Sequence, residues 1–172
     1  LLDEGVHAAD LLRLLFGEPE RAFAALSAHT LGLPVEDTAL ATFSYRSGLL
    51  AEVATSWCFA AADHSIEIYG TGGTVLVSGV DIASRPTREE AFLQVFRRDG
   101  TTRGWQVSDI VPHFKTGVFH EHVAWAFIDA LVSGAAMPTG VRDGLYASAM
   151  IEAAYKAARQ GQMMPIDYPE VG

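Results

Sequence analysis

The alternation of apolar and polar positions changes period along this chain, and the changes mark its elements. Residues 4–16 carry Leu11, Leu12, Leu14, Leu15 and Phe16 at helical spacing. That is too apolar for an isolated surface helix and predicts one packed into a core. Gly17 supplies a stop and Pro19 prevents continuation. Residues 21–30 read as an alanine-rich strand, with Gly32 and Pro34 marking the loop after it. Period-two alternation then runs through 37–45, turns at Arg46-Ser47-Gly48, and resumes through 49–59. On the second arm Val53, Thr55, Trp57 and Phe59 share one face, and Leu50, Glu52, Ala54, Ser56 and Cys58 the other.

Further strands are predicted at 63–69, 74–78, 91–97 and 104–107. They are separated by the Gly70–Gly73 turn, a polar loop over 81–90 and the Arg98-Asp99-Gly100 turn. An irregular connection over 109–117 leads to helix 118–132, whose expected buried stripe is Phe119, Val123, Phe127, Ala130 and Leu131. A second helix spans 141–159, with Thr139 as candidate cap and Gly161 as stop, and residues 163–167 form a short edge strand. Helix, sequential hairpins, then helices predicts an α+β domain. The expected architecture is one open, mainly antiparallel sheet of about six strands with helices on one face. Its other face, carrying residues such as Trp57, Phe59 and Phe43 or their alternates, is available to a second subunit.

Composition narrows the possible functions. The 172 residues suffice for one domain with a sizeable core. The formal charge of -9, without a Lys/Arg cluster, argues against nucleic acid as a partner. No apolar run reaches membrane-spanning length, and the early leucines lack the flanks of a signal peptide. Cys58 is alone, which fits a reducing cytoplasm. The first residue is Leu1, inside a motif, so the chain is expected to be a fragment of a longer protein.

Candidate chemistry concentrates at the opening run, where Asp3, His7 and Asp10 interrupt apolar sequence. On a helix Asp3 and His7, four apart, lie one above the other. A carboxylate beside an imidazole fixes the ring's tautomer and favours its protonated form, which suits proton transfer. The plainer reading has Asp3 capping the helix, with His7 and Asp10 as ordinary surface groups. His120-Glu121-His122 does not fit a metal centre, because residues two apart on a helix face different ways. His113 and Lys115 read as a solvated loop, His29 and His64 as strand residues without partners, and Trp57, Trp105 and Trp125 as core or interface. The glycines at 70–73 precede a strand and no Lys-Ser/Thr, so a phosphate-binding loop is rejected.

Three stretches, in order, resemble the second domain of the Gfo/Idh/MocA oxidoreductases, the glucose–fructose oxidoreductase and inositol dehydrogenase relatives. They are the Leu-Asp-x-Gly-x-His-x-x-Asp run with Leu11–Gly17; Ile66–Thr74 with its Gly-Thr-x-Gly turn; and Phe127–Leu131 through Gly134, Pro138-Thr139 and Asp143-Gly144-Leu145. The resemblance implies a two-domain enzyme. An N-terminal Rossmann domain, absent from this chain, would bind NAD or NADP, and this domain would supply substrate contacts and homo-oligomer interfaces. It implies hydride transfer with a sugar, polyol or inositol-like hydroxyl, His7 as proton acceptor or donor, Asp3 beside it, and Asp10 as structural. No cofactor-binding or metal residue is assigned here, because the Gly-x-Gly-x-x-Gly and Glu-Lys-Pro segments are absent. The chain alone is expected to be inactive. Alternatives are a non-catalytic ligand-binding or regulatory relative, or an oligomerisation module only.

Overall fold

The computed structural model describes residues 1–60, 65–79, 92–100, 104–108 and 117–170. Its elements, in chain order, are α1 (Gly5–Phe16), β1 (Arg21–Ser27), β2 (Thr38–Ser44), β3 (Leu50–Ser56), β4 (Ile66–Gly70), β5 (Gly73–Val77), β6 (Leu93–Arg97), β7 (Trp105–Val107), α2 (Val118–Ser133), α3 (Val141–Gln160) and β8 (Met164–Pro165). They divide into two compact units, Leu1–Phe59 with Thr139–Gly172, and Ala60–Pro138.

The first unit is a four-stranded antiparallel sheet in the order β3-β2-β1-β8, with α1 and α3 packed against it and against each other. Pairing of Phe43 with Ala22 and Ala51, and of Ala41 with Ala24 and Val53, puts all six on the face the helices cover. Ala9 of α1 and Ala147, Met150, Ile151 and Ala154 of α3 complete this core. So many alanines let helix and strand backbones approach closely, leaving Phe43 as the largest fully buried side chain. The opposite face carries Phe23, Leu40 and Leu50, exposed among Thr42, Glu52 and Ala54. Of the two faces left open for Phe43 and its alternates, Phe43 takes the one under the helices, where strand alternation places it with Ala39 and Ala41.

The second unit holds the antiparallel sheet β4-β5-β6-β7. Ile66, Ile68, Val75, Val77, Leu93 and Val95 line one face, and Tyr69, Phe96 and Trp105 form an aromatic row on the other. The helix α2 belongs to this unit. The expected stripe on α2 is not buried as a stripe: Ala130 is the helix's single buried residue, while Val123 and Leu131 are well exposed. Its apolar residues run round the whole circumference, so no one face is singled out for burial.

The α+β class and the antiparallel pairing hold, and every predicted strand has a counterpart. The sheet count differs, with two sheets of four strands among the described residues instead of one of about six. The first ladder ends at Ser56 for a local reason. Its hydroxyl donates to the Asp37 carbonyl at 3.0 Å and accepts the Cys58 N–H at 2.9 Å, which turns the chain out of the sheet before Trp57 and Phe59 can extend the strand. At α3 the cap is Gly140, whose N–H donates to Asp143 Oδ2 at 2.8 Å; Thr139, the expected cap, lies one residue too early.

Candidate functional site

The opening stretch is built from a turn and a helix. Residues 2–4 form the turn, and the Gly5 N–H donates to the Leu1 carbonyl at 2.8 Å. Glu4 occupies the N-cap position without a side-chain hydrogen bond. The Leu1 side chain is buried and lies against Gly5, where a Cβ would stand 2.5 Å from Leu1 Cδ1. A side chain at position 5 would have to displace the tip of Leu1.

His7 projects from the first turn of α1 and Asp3 from the turn before it, both exposed. Neither makes a hydrogen bond or ion pair with a described residue. The helix begins at Gly5, after Asp3, so the stacked carboxylate–imidazole pair expected from the four-residue spacing is not formed, and Asp3 does not cap. Asp10 accepts from Arg13 Nη1 at 3.0 Å.

Both ends of α1 are tied down by residues that spacing did not reveal. At the start, Glu36 Oε1 accepts from the Tyr155 hydroxyl, which itself accepts the Leu2 N–H at 3.2 Å. The next residue, Asp37, is buried and accepts the Thr30 and Leu31 N–H groups at 2.7 and 2.9 Å. The Leu31 bond is the main cause of its lowered pKa.

At the far end the Arg13 guanidinium, almost wholly buried, donates to the Asp143 carbonyl at 3.1 Å and carboxylate at 3.3 Å and lies 5.2 Å from the centre of the Tyr146 ring. Arg13 Nε has no hydrogen-bond partner. These partners are 119 to 153 residues apart, or 130 in the Arg13–Asp143 case, so no local motif could have pointed to them.

The remaining candidates disperse. His29 lies beyond β1, exposed, and His120, Glu121 and His122 are exposed on α2. No group of three His, Cys, Asp or Glu among the described residues could share a metal ion. His64, His113 and Lys115 lie outside the described residues. Trp57, Trp105 and Trp125 are exposed, which corrects the core reading; Trp57 falls after its strand, and Trp105 sits on a short edge strand with its ring centre 5.7 Å from that of Phe96.

A helix-backed antiparallel sheet whose first helix displays an exposed imidazole in its first turn defines an α+β domain. The model of the Gfo/Idh/MocA oxidoreductase family's C-terminal alpha/beta domain matches residues 1–167, and the chain belongs to that family. It is 26% identical over 174 residues to D-apiose dehydrogenase of Paraburkholderia graminis, covering 95% of this chain and 44% of the relative. Two solved structures share the fold. An oxidoreductase from Agrobacterium radiobacter in complex with NAD+, L-tartaric acid and magnesium matches with TM-score 0.70 and 23% identity, over 95% of this chain and 48% of that one. Levoglucosan dehydrogenase in complex with NADH and L-sorbose matches with TM-score 0.76 and 21% identity, over 98% and 50%. The chain thus spans about half the length of the relatives it matches.

The glycine-rich turn does not fit a dinucleotide. Gly70 and Gly73 pair across a hairpin of antiparallel strands, with no helix N-terminus behind the turn to receive a phosphate. A Cβ at Gly73 would stand 1.9 Å from the Phe96 carbonyl oxygen, so glycine serves strand packing there.

Proposed function

We propose that this chain is the substrate-side domain of an NAD- or NADP-dependent oxidoreductase acting on a hydroxyl of a sugar, polyol or inositol-like compound. The observation that carries the reading is His7, exposed and unpartnered on the first turn of α1, in a chain of this family. The family relatives named above, a D-apiose dehydrogenase and a levoglucosan dehydrogenase bound to L-sorbose, support the substrate class.

Oxidising a secondary alcohol releases a hydride, which a nicotinamide accepts when bound, and a proton, which needs a base. The cofactor would be held outside this chain. The chain's part is to present an imidazole nitrogen of His7 to the substrate hydroxyl, accept its proton and return it in the reverse direction. Asp3, on the preceding turn, would approach the ring once substrate is bound. The open face of the first sheet, with Phe23, Leu40 and Leu50 exposed, is the proposed homo-oligomer surface. No helix among the described residues is long and apolar enough to cross a membrane. The lone Cys58 supports a cytoplasmic assignment.

The test uses the full-length protein that carries this domain, with NAD or NADP and a panel of sugars and polyols. His7→Ala is expected to lower kcat/KM at least ~100-fold, the loss of one general base. Turnover equal to wild type would remove His7 from the mechanism.

A further inference from the structure

We infer that Tyr155 and Glu36 form a positioning device for His7, a hook that fixes the turn from which the helix carrying that imidazole starts. The inference rests on the proposed role of His7 and extends it to two residues that no substrate need touch.

The turn over residues 2–4 has no side-chain cap of its own, since neither Asp3 nor Glu4 bonds to the helix start. A helix begun without a cap leaves its first N–H groups free and its first turn prone to fraying. His7 sits in that first turn, so fraying would move the imidazole.

The structure replaces the missing cap with a tertiary one. Tyr155 reaches across from α3, accepts the Leu2 N–H at 3.2 Å and donates its proton to Glu36 Oε1. Both anchors sit on firm ground. Tyr155 extends from the helix whose Ile151 and Ala154 are fully buried in the first unit's core. Glu36 is followed by buried Asp37, whose backbone N–H donates to the Ser27 carbonyl at 2.8 Å, tying this segment to β1. From below, the buried Leu1 side chain packs on Gly5, the residue at which the helix begins. The turn is therefore held at its Leu2 backbone by Tyr155, whose hydroxyl Glu36 fixes in place, and at the Leu1 side chain by the core. Its outer surface is left to Asp3 and, one turn on, His7.

The hook is tested in the full-length protein with Tyr155→Phe, which keeps the ring and removes only the bridging hydroxyl. Tyr168→Phe is the control. It also deletes one half-buried hydroxyl, which donates to the Pro19 carbonyl at 2.8 Å, beyond the other end of α1. Tyr155→Phe is expected to lower kcat about tenfold or more with KM changed less than about twofold, the mark of a displaced reacting group. Hydrogen exchange of the amides at residues 2–7 is expected to speed up at least about tenfold while the α3 amides keep their protection. Tyr168→Phe should keep wild-type kcat, and Glu36→Gln should reproduce the Tyr155→Phe pattern.

Unchanged exchange at residues 2–7 in Tyr155→Phe overturns the hook. So does an equal loss of kcat in Tyr168→Phe, which would mark the effect as general destabilisation. Wild-type turnover by His7→Ala overturns instead the reading of His7 on which the inference rests, and neither tyrosine variant can produce that result.

Discussion

The arrangement of the first unit makes its sharpest prediction on one strand, β2, whose two faces meet different surroundings. Phe43 is 0% exposed beneath the helices and Leu40 is 47% exposed on the open face. Truncating a buried phenylalanine to alanine costs about 3–5 kcal/mol, through lost transfer energy and the cavity left behind. At least the middle of that range applies to Phe43→Ala. Its cross-strand neighbours on this face are Ala22 and Ala51, whose positions are fixed by the ladder and whose side chains cannot lean into the hole. The expected cost is therefore about 4 kcal/mol. For a chain of this size that corresponds to a fall in Tm of roughly 8–16 °C.

Leu40→Ala removes a side chain that already meets water over half its surface, and is expected to cost no more than about 1 kcal/mol. The assay is equilibrium urea unfolding followed by far-ultraviolet circular dichroism, with the m-value checked for constancy. A cost under about 1.5 kcal/mol for Phe43→Ala, or equal costs at the two positions, would refute the placement of the helices over the Phe43 face. A cost for Leu40→Ala that grows with protein concentration reports self-association through the open face.

Three further outcomes follow from the same geometry. Asp37 has its pKa lowered, first by the Leu31 N–H and also by Thr30 and Thr38, so its stabilising effect is fully present above the unfolded aspartate value and fades as pH falls through the lower folded value. Asp37→Asn should be less stable than wild type at pH 7, with the gap in urea midpoint closing once pH drops below about 3.9. Arg13→Ala should cost about 2 kcal/mol in the same assay. That is below the 3–5 kcal/mol for breaking a buried pair, because Asp10, Glu18 and Asp143 are each more than a third exposed and rehydrate. Gly73→Ala forces a Cβ against the Phe96 carbonyl at a residue with φ of 152°, so hydrogen-exchange protection should drop across β5 and β6 while β1 and β2 keep theirs.

What the sequence disclosed depended on the range of the interaction. Alternation along residues 37–45 and 49–59 located β2 and β3, because period two is a property of the strand itself. Gly161, with φ of 65°, ended α3 as expected, since a left-handed C-terminal residue is a local requirement. Three features escaped: the Ser56 turn that ends β3, the burial of Phe43, and the anchoring of α1 by Tyr155, Glu36 and Asp143. The Ser56 turn was locally encoded but competes with a strand pattern that Trp57 and Phe59 continue on paper. Phe43 required knowing which face the helices take. The anchors join residues more than a hundred positions apart, and no periodicity carries that information.

The same distinction sharpens the reading of Asp3 and His7. Helical spacing paired them, but the helix starts at Gly5, and the carboxylate and imidazole stand exposed and apart. A histidine that moves a proton in turnover still needs its ring oriented, and an orienting carboxylate must come within about 3.2 Å of a ring nitrogen. Either the Asp3 side chain swings onto the ring when substrate arrives and becomes that group, or the orienting group comes from outside this chain. A double-mutant cycle in the full-length protein separates the two. If Asp3 orients His7, Asp3→Asn lowers kcat/KM strongly on its own but adds almost nothing to His7→Ala, leaving a coupling of at least ~1 kcal/mol. Additive losses would show that the two act independently. The hook at Tyr155 and Glu36 favours coupling: a turn held by its backbone at Leu2 can swing the Asp3 side chain toward His7 without releasing the helix start.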